Sequence, residues 1–330
     1  ALTTTKVSNA SQKSNQVKLE SEFNKIIRLY QQGEIKQALL LTEQTLKLFP
    51  KHSVLLENAG NFSSLIGDPQ AALNYYQQSL AINPDNSNVL YNSGCMLKKL
   101  NRFDEAETAF KQALKIQPDF VEAYNNLGNL FKDQKHYQQA EQTFQKLLEY
   151  KPDFVDAHFS LGTLFKQQKR YKEAEASYKT ALSLRPGYAE VYCSLGNLFL
   201  EQKFYQKAED TFQTALKLRP GYASPCNSLG NLFFELKRYK EAEACFQNAL
   251  LFKPEYAEAY VNFANLLSKL NRFKEAEHAY RSALKLQPNY ADAHNNLGNL
   301  LKQTNRYEEA EACYQTALKY QPEYVRPIII

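Results

Sequence analysis

Hydrophobic and polar residues follow a helical period along most of the chain, and the pattern recurs every 34 residues. The block from Val121 to Pro152 reads VEAYNNLGNLFKDQKHYQQAEQTFQKLLEYKP. Within each block we expect helix A over about the first fourteen positions and helix B over about the eighteenth to the thirty-first. The closing proline ends helix B because it lacks an N–H group. A fixed period of this length indicates a repeat architecture.

Three positions of the block are restricted in size. The eighth is Gly, the twentieth is Ala and the twenty-fourth is aromatic, as in Gly128, Ala140 and Phe144. The small residues are predicted to let helices A and B of one repeat approach closely. Aromatic residues of the eleventh and seventeenth positions are predicted to fill the space between repeats: Phe131, Phe165, Phe199, Phe233, Tyr137, Tyr171, Tyr205 and Tyr239.

The turn between the two helices is predicted at the fifteenth position. Gly and Asn suit the left-handed conformation that ends many helices, and Lys tolerates it at a modest cost. The residues at this position are Gly33, Gly67, Asn101, Lys135, Lys169, Lys203, Lys237, Asn271 and Asn305.

These features resemble the tetratricopeptide repeat, whose unit is a pair of antiparallel helices. The resemblance covers nine copies within residues 19–324, starting at residues 19, 53, 87, 121, 155, 189, 223, 257 and 291. It implies an all-α fold, a right-handed superhelical solenoid in which each repeat packs only on its neighbours. The first repeat is atypical, as expected of a terminal one, and carries Ile26 in place of the eighth-position Gly.

The two ends of the chain depart from the repeat. Residues 1–18 are rich in Ser, Thr, Asn, Gln and Lys, and we expect them to be a disordered leader. Residues 325–330 are expected to be a tail or the start of a further segment.

Composition argues against several classes of function. The net charge of +5 comes from 40 basic and 35 acidic residues without long single-sign runs, which does not favour nucleic-acid binding. No apolar run approaches the roughly 20 residues of a membrane-spanning helix, so membrane insertion is not expected. The five cysteines are odd in number and form no CxxC pair, which favours reduced packing residues of a cytoplasmic protein.

No catalytic, cofactor-binding or metal-binding constellation is predicted. His158 and His294 occupy the fourth position, where other repeats have tyrosine, so we interpret them as packing residues. The chain has no HExxH pair, and its glycines follow the repeat rather than a phosphate-binding loop. We therefore expect a protein that is not an enzyme.

The candidate site is a polar stripe along helix A, at the sixth and ninth positions. Asn costs a helix roughly 0.5 kcal/mol relative to Ala at each interior position, so a stripe of Asn residues suggests a compensating role. Asn126 and Asn129, for example, have no evident role in stacking the repeats. Two other interpretations stay open: the amides tie neighbouring A helices together, or they persist because the repeats arose by duplication.

The stripe resembles the asparagine ladder of O-GlcNAc transferase repeat arms, which hold the backbone of an extended peptide. The resemblance implies a peptide-binding groove, interrupted at the sixth position by Ser160, Ser194 and Ser228. The predicted groove residues are Asn58, Asn61, Asn92, Asn126, Asn129, Asn197, Asn231, Asn262, Asn265, Asn296 and Asn299.

Charged residues are predicted to form the groove rim. Acidic residues occupy the second position and basic ones the twelfth, and both placements complement the helix dipole. Members of the family that grip acidic chaperone tails have basic residues at the second position, so we expect a partner with basic side chains instead. The predicted rim residues are Glu122, Asp156, Glu190, Glu258, Asp292, Lys98, Lys132, Lys166 and Lys302.

The predicted function is a non-enzymatic scaffold that binds a protein or peptide with an extended segment. An alternative is the substrate-recruiting arm of a larger transferase, because the opening FNKIIRLYQQGEIKQALLL looks like the start of bacterial proteins in which such repeats precede a glycosyltransferase or sulfotransferase domain. A further alternative is self-association through the last repeat, after which no solvating helix is predicted.

Overall fold

A computed structural model describes the backbone of residues 2–322 and the side chains of residues 16–322. This part of the chain is all-α and contains no strand. Its helices are α1 (Leu2–Gln31), α2 (Ile35–Leu48), α3 (Ser53–Leu65), α4 (Pro69–Ile82), α5 (Ser87–Lys99), α6 (Phe103–Ile116), α7 (Val121–Asp133), α8 (Tyr137–Tyr150), α9 (Val155–Gln167), α10 (Tyr171–Leu184), α11 (Ala189–Glu201), α12 (Tyr205–Leu218), α13 (Ala223–Glu235), α14 (Tyr239–Phe252), α15 (Ala257–Lys269), α16 (Phe273–Leu286), α17 (Ala291–Gln303) and α18 (Tyr307–Tyr320).

Odd-numbered helices are the A helices of the repeats and even-numbered helices are the B helices. From α3 onward, each A helix starts at the first position of its repeat, and every B helix starts at the seventeenth. Both helices therefore end about one residue earlier than predicted. Helix A ends there because the fifteenth-position residue has a positive φ and cannot belong to a right-handed helix. Helix B ends at the thirtieth position because the next residue precedes the proline and is extended, as Lys151 is with ψ 83°.

The left-handed turn is confirmed at all nine predicted positions. Lys135, for example, has φ 61° and Gly67 has φ 88°. The N–H of Lys135 donates to the carbonyl oxygen of Lys132 at 3.0 Å, and the N–H of His136 donates to that of Phe131 at 2.8 Å. This pair of bonds is a Schellman motif, which satisfies the last carbonyl groups of helix A.

The eighth-position Gly packs against the twenty-fourth-position ring of its own repeat. A Cβ atom on Gly128 would lie 2.7 Å from Cε1 of Phe144, closer than real Cβ atoms come to a ring carbon. The prediction that a small residue allows helices A and B to approach is therefore confirmed. The first repeat reverses the sizes: buried Ile26 takes the place of Gly, and buried Thr42 takes the place of the ring.

The helices fall into two compact units, Ala1–Leu164 and Phe165–Ile330, and the boundary lies within α9. In the first unit α3, α5 and α7 contact one another in sequence, and in the second α11, α13, α15 and α17 do so. Successive A helices thus form one continuous surface within each unit.

The stretch predicted to be a disordered leader is helical from Leu2 onward, as the first part of α1. Buried Ile26 anchors the later turns of that helix in the first core cluster. Each further residue then adds a backbone hydrogen bond without a new nucleation cost, which explains how a polar segment continues the helix. The predicted tail, residues 325–330, lies outside the described residues.

Candidate functional site

The sixth- and ninth-position side chains of neighbouring repeats bond to each other across the A helices. Nδ2 of Asn92 donates to Oδ1 of Asn61 at 3.2 Å, and Nδ2 of Asn296 donates to Oδ1 of Asn265 at 3.1 Å. Oγ of Ser160 takes the place of the amide and donates to Oδ1 of Asn129 at 3.2 Å. We call these bonds the rungs. They support the interpretation that the amides tie neighbouring helices together.

Tyrosines of the twenty-fourth position, on helix B, donate hydrogen bonds to the ninth-position amides of the same repeat. The hydroxyl groups of Tyr76, Tyr280 and Tyr314 donate to Oδ1 of Asn61, Asn265 and Asn299 at 2.8, 2.5 and 2.8 Å, respectively. Burial raises the pKa of Tyr280, which keeps this donor protonated. These tyrosines were not predicted from the sequence as site residues, although the choice of Tyr over Phe at a buried position indicates that a hydroxyl group needs a partner.

The amides of α7 also have partners within the chain. Nδ2 of Asn126 donates to the hydroxyl of Tyr91 at 2.8 Å and to the carbonyl oxygen of Glu122 at 3.3 Å. Nζ of Lys132 donates to Oδ1 of Asn129 at 2.8 Å, and burial lowers the pKa of that lysine. The expectation that Asn126 and Asn129 have no role in stacking is therefore wrong: Asn126 and Asn129 each bond to a neighbouring repeat.

The pattern changes at α13. Nδ2 of Asn262 donates to Oδ1 of Asn227, a fifth-position residue, at 3.1 Å instead of bonding to the ninth position. Asn227 is 2% exposed, and its own Nδ2 donates to Oε1 of Glu258 at 3.2 Å. The side chain of Asn231 is therefore left without a rung. The side chain of Ser228 likewise has no hydrogen bond within the described part of the chain. Asn227 was not predicted from the sequence as a site residue.

Other predicted groove residues bond weakly or not at all. Nδ2 of Asn197 lies 3.9 Å from Sγ of Cys193, which is a weak contact. Asn58 is half-buried and has no hydrogen bond to any described residue.

Each unit has a cavity on its A-helix surface. The cavity of the first unit has a volume of about 420 Å³ and is lined by Asn58, Asn61 and Asn92 together with apolar side chains such as Tyr30 and Leu65. The cavity of the second unit has a volume of about 680 Å³ and is lined by amide, hydroxyl, charged and aromatic side chains, most of them from α11, α13 and α15. We call these the α3 cavity and the α13 cavity.

The predicted rim residues occupy the first and last turns of the A helices, as expected. Several of them form ion pairs. Nζ of Lys166 lies 2.8 Å from Oε1 of Glu201, and Nη2 of Arg219 lies 2.8 Å from Oε1 of Glu190. Lys98 forms a longer pair with the next repeat. Part of the rim charge is therefore neutralised within the chain.

The remaining candidate chemistry is structural. Nε2 of His158 lies 2.8 Å from the carbonyl oxygen of Pro152, and Nε2 of His294 lies 2.9 Å from that of Pro288, so both rings pack at the repeat junction. Within the described residues, no group of His, Cys, Asp and Glu is placed to hold a metal ion. In the same residues, no helix is both long and apolar enough to span a membrane.

Family models match the chain along most of its length. Residues 154–328, just over half of the chain, match the model described as "Cilia and flagella-associated protein 70 C-terminal domain". Tetratricopeptide-repeat models match residues 55–90, 75–108, 94–135 and 121–154. No curated protein sequence is significantly similar to the chain.

Solved structures share the fold. A chain of the APC/C hetero-tetramer Cut9–Hcn1 is 20% identical with a TM-score of 0.61, and the match covers 88% of this chain and 57% of that one. A tetratricopeptide repeat protein from Parabacteroides merdae is 20% identical with a TM-score of 0.63, covering 76% and 98%. PilF from Pseudomonas aeruginosa is 23% identical with a TM-score of 0.54, covering 62% and 93%.

These matches confirm the repeat and the fold class predicted from the 34-residue period. The chain belongs to the tetratricopeptide-repeat family, as an all-α repeat solenoid, and over residues 154–328 to the family of the cilia and flagella-associated protein 70 C-terminal domain.

Proposed function

We propose that the chain, a protein-interaction scaffold, binds an extended protein segment along the A-helix surface of its repeats. The observation that carries the proposal is that the side-chain amides of Asn58 and Asn231 have no hydrogen-bond partner among the described residues. Both amides are half-buried on A helices and line the α3 and α13 cavities, and neither has a hydrogen bond to any described residue. An Asn in a helix is unfavourable, and these two amides do not stabilise a neighbouring helix, so a bound partner is the role that we infer for them.

The rungs determine how a peptide backbone would be held. Oδ1 of Asn61 and Oδ1 of Asn265 each already accept two hydrogen bonds, from a tyrosine and from the next repeat. Their Nδ2 groups donate to no described residue. The rung amides therefore offer N–H donors to the carbonyl oxygens of a peptide, rather than the donor and acceptor pair expected of a uniform ladder.

The geometry also limits the affinity of any single contact. A hydrogen bond exchanged with water contributes about 0.5–1.5 kcal/mol net, so one amide is a weak site. A segment that spans several repeats adds such contacts and offsets the entropy it loses on becoming ordered. We therefore expect affinity to grow with the length of the bound segment.

The test is a selection of peptides from a displayed random library against the full chain, followed by binding measurements on the variants Asn58→Ala and Asn231→Ala. Each variant should lower the affinity of the peptides that occupy its cavity by about fivefold, the equivalent of one hydrogen bond. Neither should lower the melting temperature, because Ala is the better helix former. Asn74→Ala and Asn248→Ala make the same change at exposed positions of B helices and serve as controls. Peptides whose affinity is the same for all four variants and the unaltered chain would show that the proposal is wrong.

A further inference from the structure

The α13 cavity differs in chemistry from the α3 cavity. No charged side chain lines the α3 cavity, whereas Glu201, Glu235 and Glu258 line the α13 cavity together with two lysines. Glu201 is paired with Lys166 at 2.8 Å. The carboxylates of Glu235 and Glu258 then outnumber the one remaining lysine, Lys203, and the wall of the cavity is negatively charged.

Ser228 is an unpartnered polar group in this cavity. Its side chain is 8% exposed and has no hydrogen bond to any described residue. Its hydroxyl group opens onto the cavity, so a ligand atom that pairs with it replaces a hydrogen bond to water and gains about 0.5–1.5 kcal/mol. Asn231 lies one helical turn further along α13, and its half-buried side chain also has no hydrogen bond to any described residue. The two side chains provide unused acceptors on the cavity wall.

Glu258 is held in place by the shifted rung. Nδ2 of the buried Asn227 donates to its Oε1 at 3.2 Å, and Asn227 is itself fixed by Asn262 at 3.1 Å. The second oxygen, Oε2, has no hydrogen bond among the described residues. Burial raises the pKa of Tyr256, and the neighbouring Glu258 raises it further. The carboxylate of Glu258 is therefore held in position by Asn227 before a ligand binds.

The half-buried ring of Tyr256 lies beside Glu258 in the cavity, and Nζ of Lys253 is 4.9 Å from the centre of that ring. Phe234 lines the cavity about 9 Å further along α13 than Ser228. A planar cation stacks on aromatic faces and donates several hydrogen bonds in fixed directions, whereas an ammonium group donates from a single point. The carboxylate of Glu258, the hydroxyl of Ser228 and the ring of Tyr256 offer acceptors and a flat surface that suit a guanidinium group.

We propose that the α13 cavity binds the guanidinium group of an arginine side chain in the captured segment. This inference rests on the proposed function and gives its second unit a side-chain preference. It also specifies where the basic partner expected from the rim charges would be recognised: in a cavity built by Asn227, Ser228 and Glu258, and not along an acidic edge.

The test uses a peptide selected from the random library against the full chain, resynthesised with arginine, lysine or citrulline at its basic position. Citrulline has the shape of arginine without its charge. It should lower the affinity for the unaltered chain by at least tenfold and the affinity for Glu258→Gln by less than about twofold, because coupled changes are not additive. Lysine should bind several-fold more weakly than arginine, and Ser228→Ala should weaken the arginine peptide by about fivefold.

Glu255→Gln is the matched control. It removes the same charge three residues away, from an exposed side chain that does not line the cavity, and should leave the preference for arginine unchanged. Selected peptides that depend on Asn231 but bind equally with citrulline overturn this inference and leave the proposed function standing. Peptides that are insensitive to both Asn58→Ala and Asn231→Ala overturn the proposed function. An equal loss of preference in Glu255→Gln and Glu258→Gln shows a long-range charge effect and also overturns the inference.

Discussion

Tyr280 donates its hydroxyl hydrogen to Oδ1 of Asn265, and the same oxygen accepts Nδ2 of Asn296 from the next repeat. One amide oxygen thus joins helix B, helix A and the following helix A. The same arrangement recurs with Tyr76, Asn61 and Asn92 in the first unit. The polar stripe of the A helices is therefore part of the packing between repeats as well as a candidate binding surface.

Tyr280→Phe tests the structural part of this arrangement. The variant removes a buried hydrogen bond and leaves the ring in place, so we expect a loss of about 0.5–1.5 kcal/mol of stability. Urea unfolding and amide hydrogen exchange of α15 to α17 measure the loss. Tyr239→Phe is the control, since Tyr239 has no hydrogen bond to a described residue. Equal stability of the two variants would contradict the prediction.

Gly128→Ala tests the close approach of helices A and B. The added Cβ would lie 2.7 Å from the ring of Phe144, and neither helix can move without disturbing its repeat. We expect a loss of about 1–3 kcal/mol, as in other overpacked cores. Gly187→Ala is the matched control, because a Cβ on Gly187 meets nothing within 4 Å. Its unfolding midpoint should stay the same or rise slightly. A midpoint for Gly128→Ala that equals that of the control would show that the ring adjusts freely.

The sequence predicts those features that steric limits fix at one position of every repeat. The left-handed residue is one of them, because Lys135 and Gly67 occupy the same fifteenth position despite their different chemistry. Gly128 and Phe144 are another. Such features are visible in a single block and need no knowledge of the neighbouring repeat.

The bonding of the amides could not be predicted in this way. Whether Asn262 bonds to the ninth or the fifth position depends on two repeats and on their side-chain rotamers. Asn227 is a fifth-position residue where Tyr91 and Val261 stand in other repeats, and only its burial shows why the rung moves. Ser228 looks like a mere interruption in the sequence, yet in the structure it leaves an unpaired hydroxyl group in a cavity.

Lys135→Gly tests the energetic cost of the left-handed turn. Lys135 has φ 61°, a conformation that Gly adopts without a Cβ penalty. We expect the substitution to stabilise the chain by up to about 1 kcal/mol, since the penalty for an L-residue is about 1–2 kcal/mol and Gly loses more entropy on folding. Lys217→Gly, in the last turn of α12, makes the same change in a right-handed helix and should destabilise by up to about 1 kcal/mol. Thermal melts that move in the same direction for both variants would contradict the prediction.

Ion pairs between B helices should make stability depend on pH. Glu277 accepts hydrogen bonds from Arg306 of the next repeat at 2.7 Å and from Arg281 at 2.8 Å. Burial acts to raise the pKa of Glu277, but the two guanidinium groups outweigh it and hold that pKa below its ordinary value. Because the folded pKa is the lower one, the carboxylate adds stability above its unfolded pKa of about 4.3, and this contribution is lost as the pH falls through the folded value.

Glu277→Gln tests this dependence. The variant should melt at a lower temperature than the unaltered chain at pH 7, and the difference should shrink as the pH falls below 4.3, where both side chains become neutral. Glu255→Gln removes an exposed carboxylate without an ion pair, so its difference from the unaltered chain should change little with pH. A difference for Glu277→Gln that stays constant from pH 7 to pH 3 would argue against the ion pairs.

Ser228→Asn separates stability from binding at the α13 cavity. In the other rungs the sixth-position side chain donates to the ninth-position amide of the preceding repeat, as Asn92 does to Asn61. The new amide at position 228 should therefore donate to Oδ1 of Asn197, which accepts no hydrogen bond from a described residue. We expect a gain of about 0.5–1.5 kcal/mol in stability from this added rung.

The same change fills part of the cavity and removes the unpaired hydroxyl group of Ser228. We therefore expect a weaker binding of arginine-containing peptides, by at least fivefold, in a chain that melts at a higher temperature. Ser194→Asn adds an amide at the sixth position of α11, outside the cavity, and controls for the substitution itself. A stabilised Ser228→Asn variant that binds these peptides as well as the unaltered chain would place the arginine elsewhere on the A-helix surface. A variant that binds weakly only because it has partly unfolded would be recognised by its lower melting temperature, so stability and binding have to be measured on the same preparation.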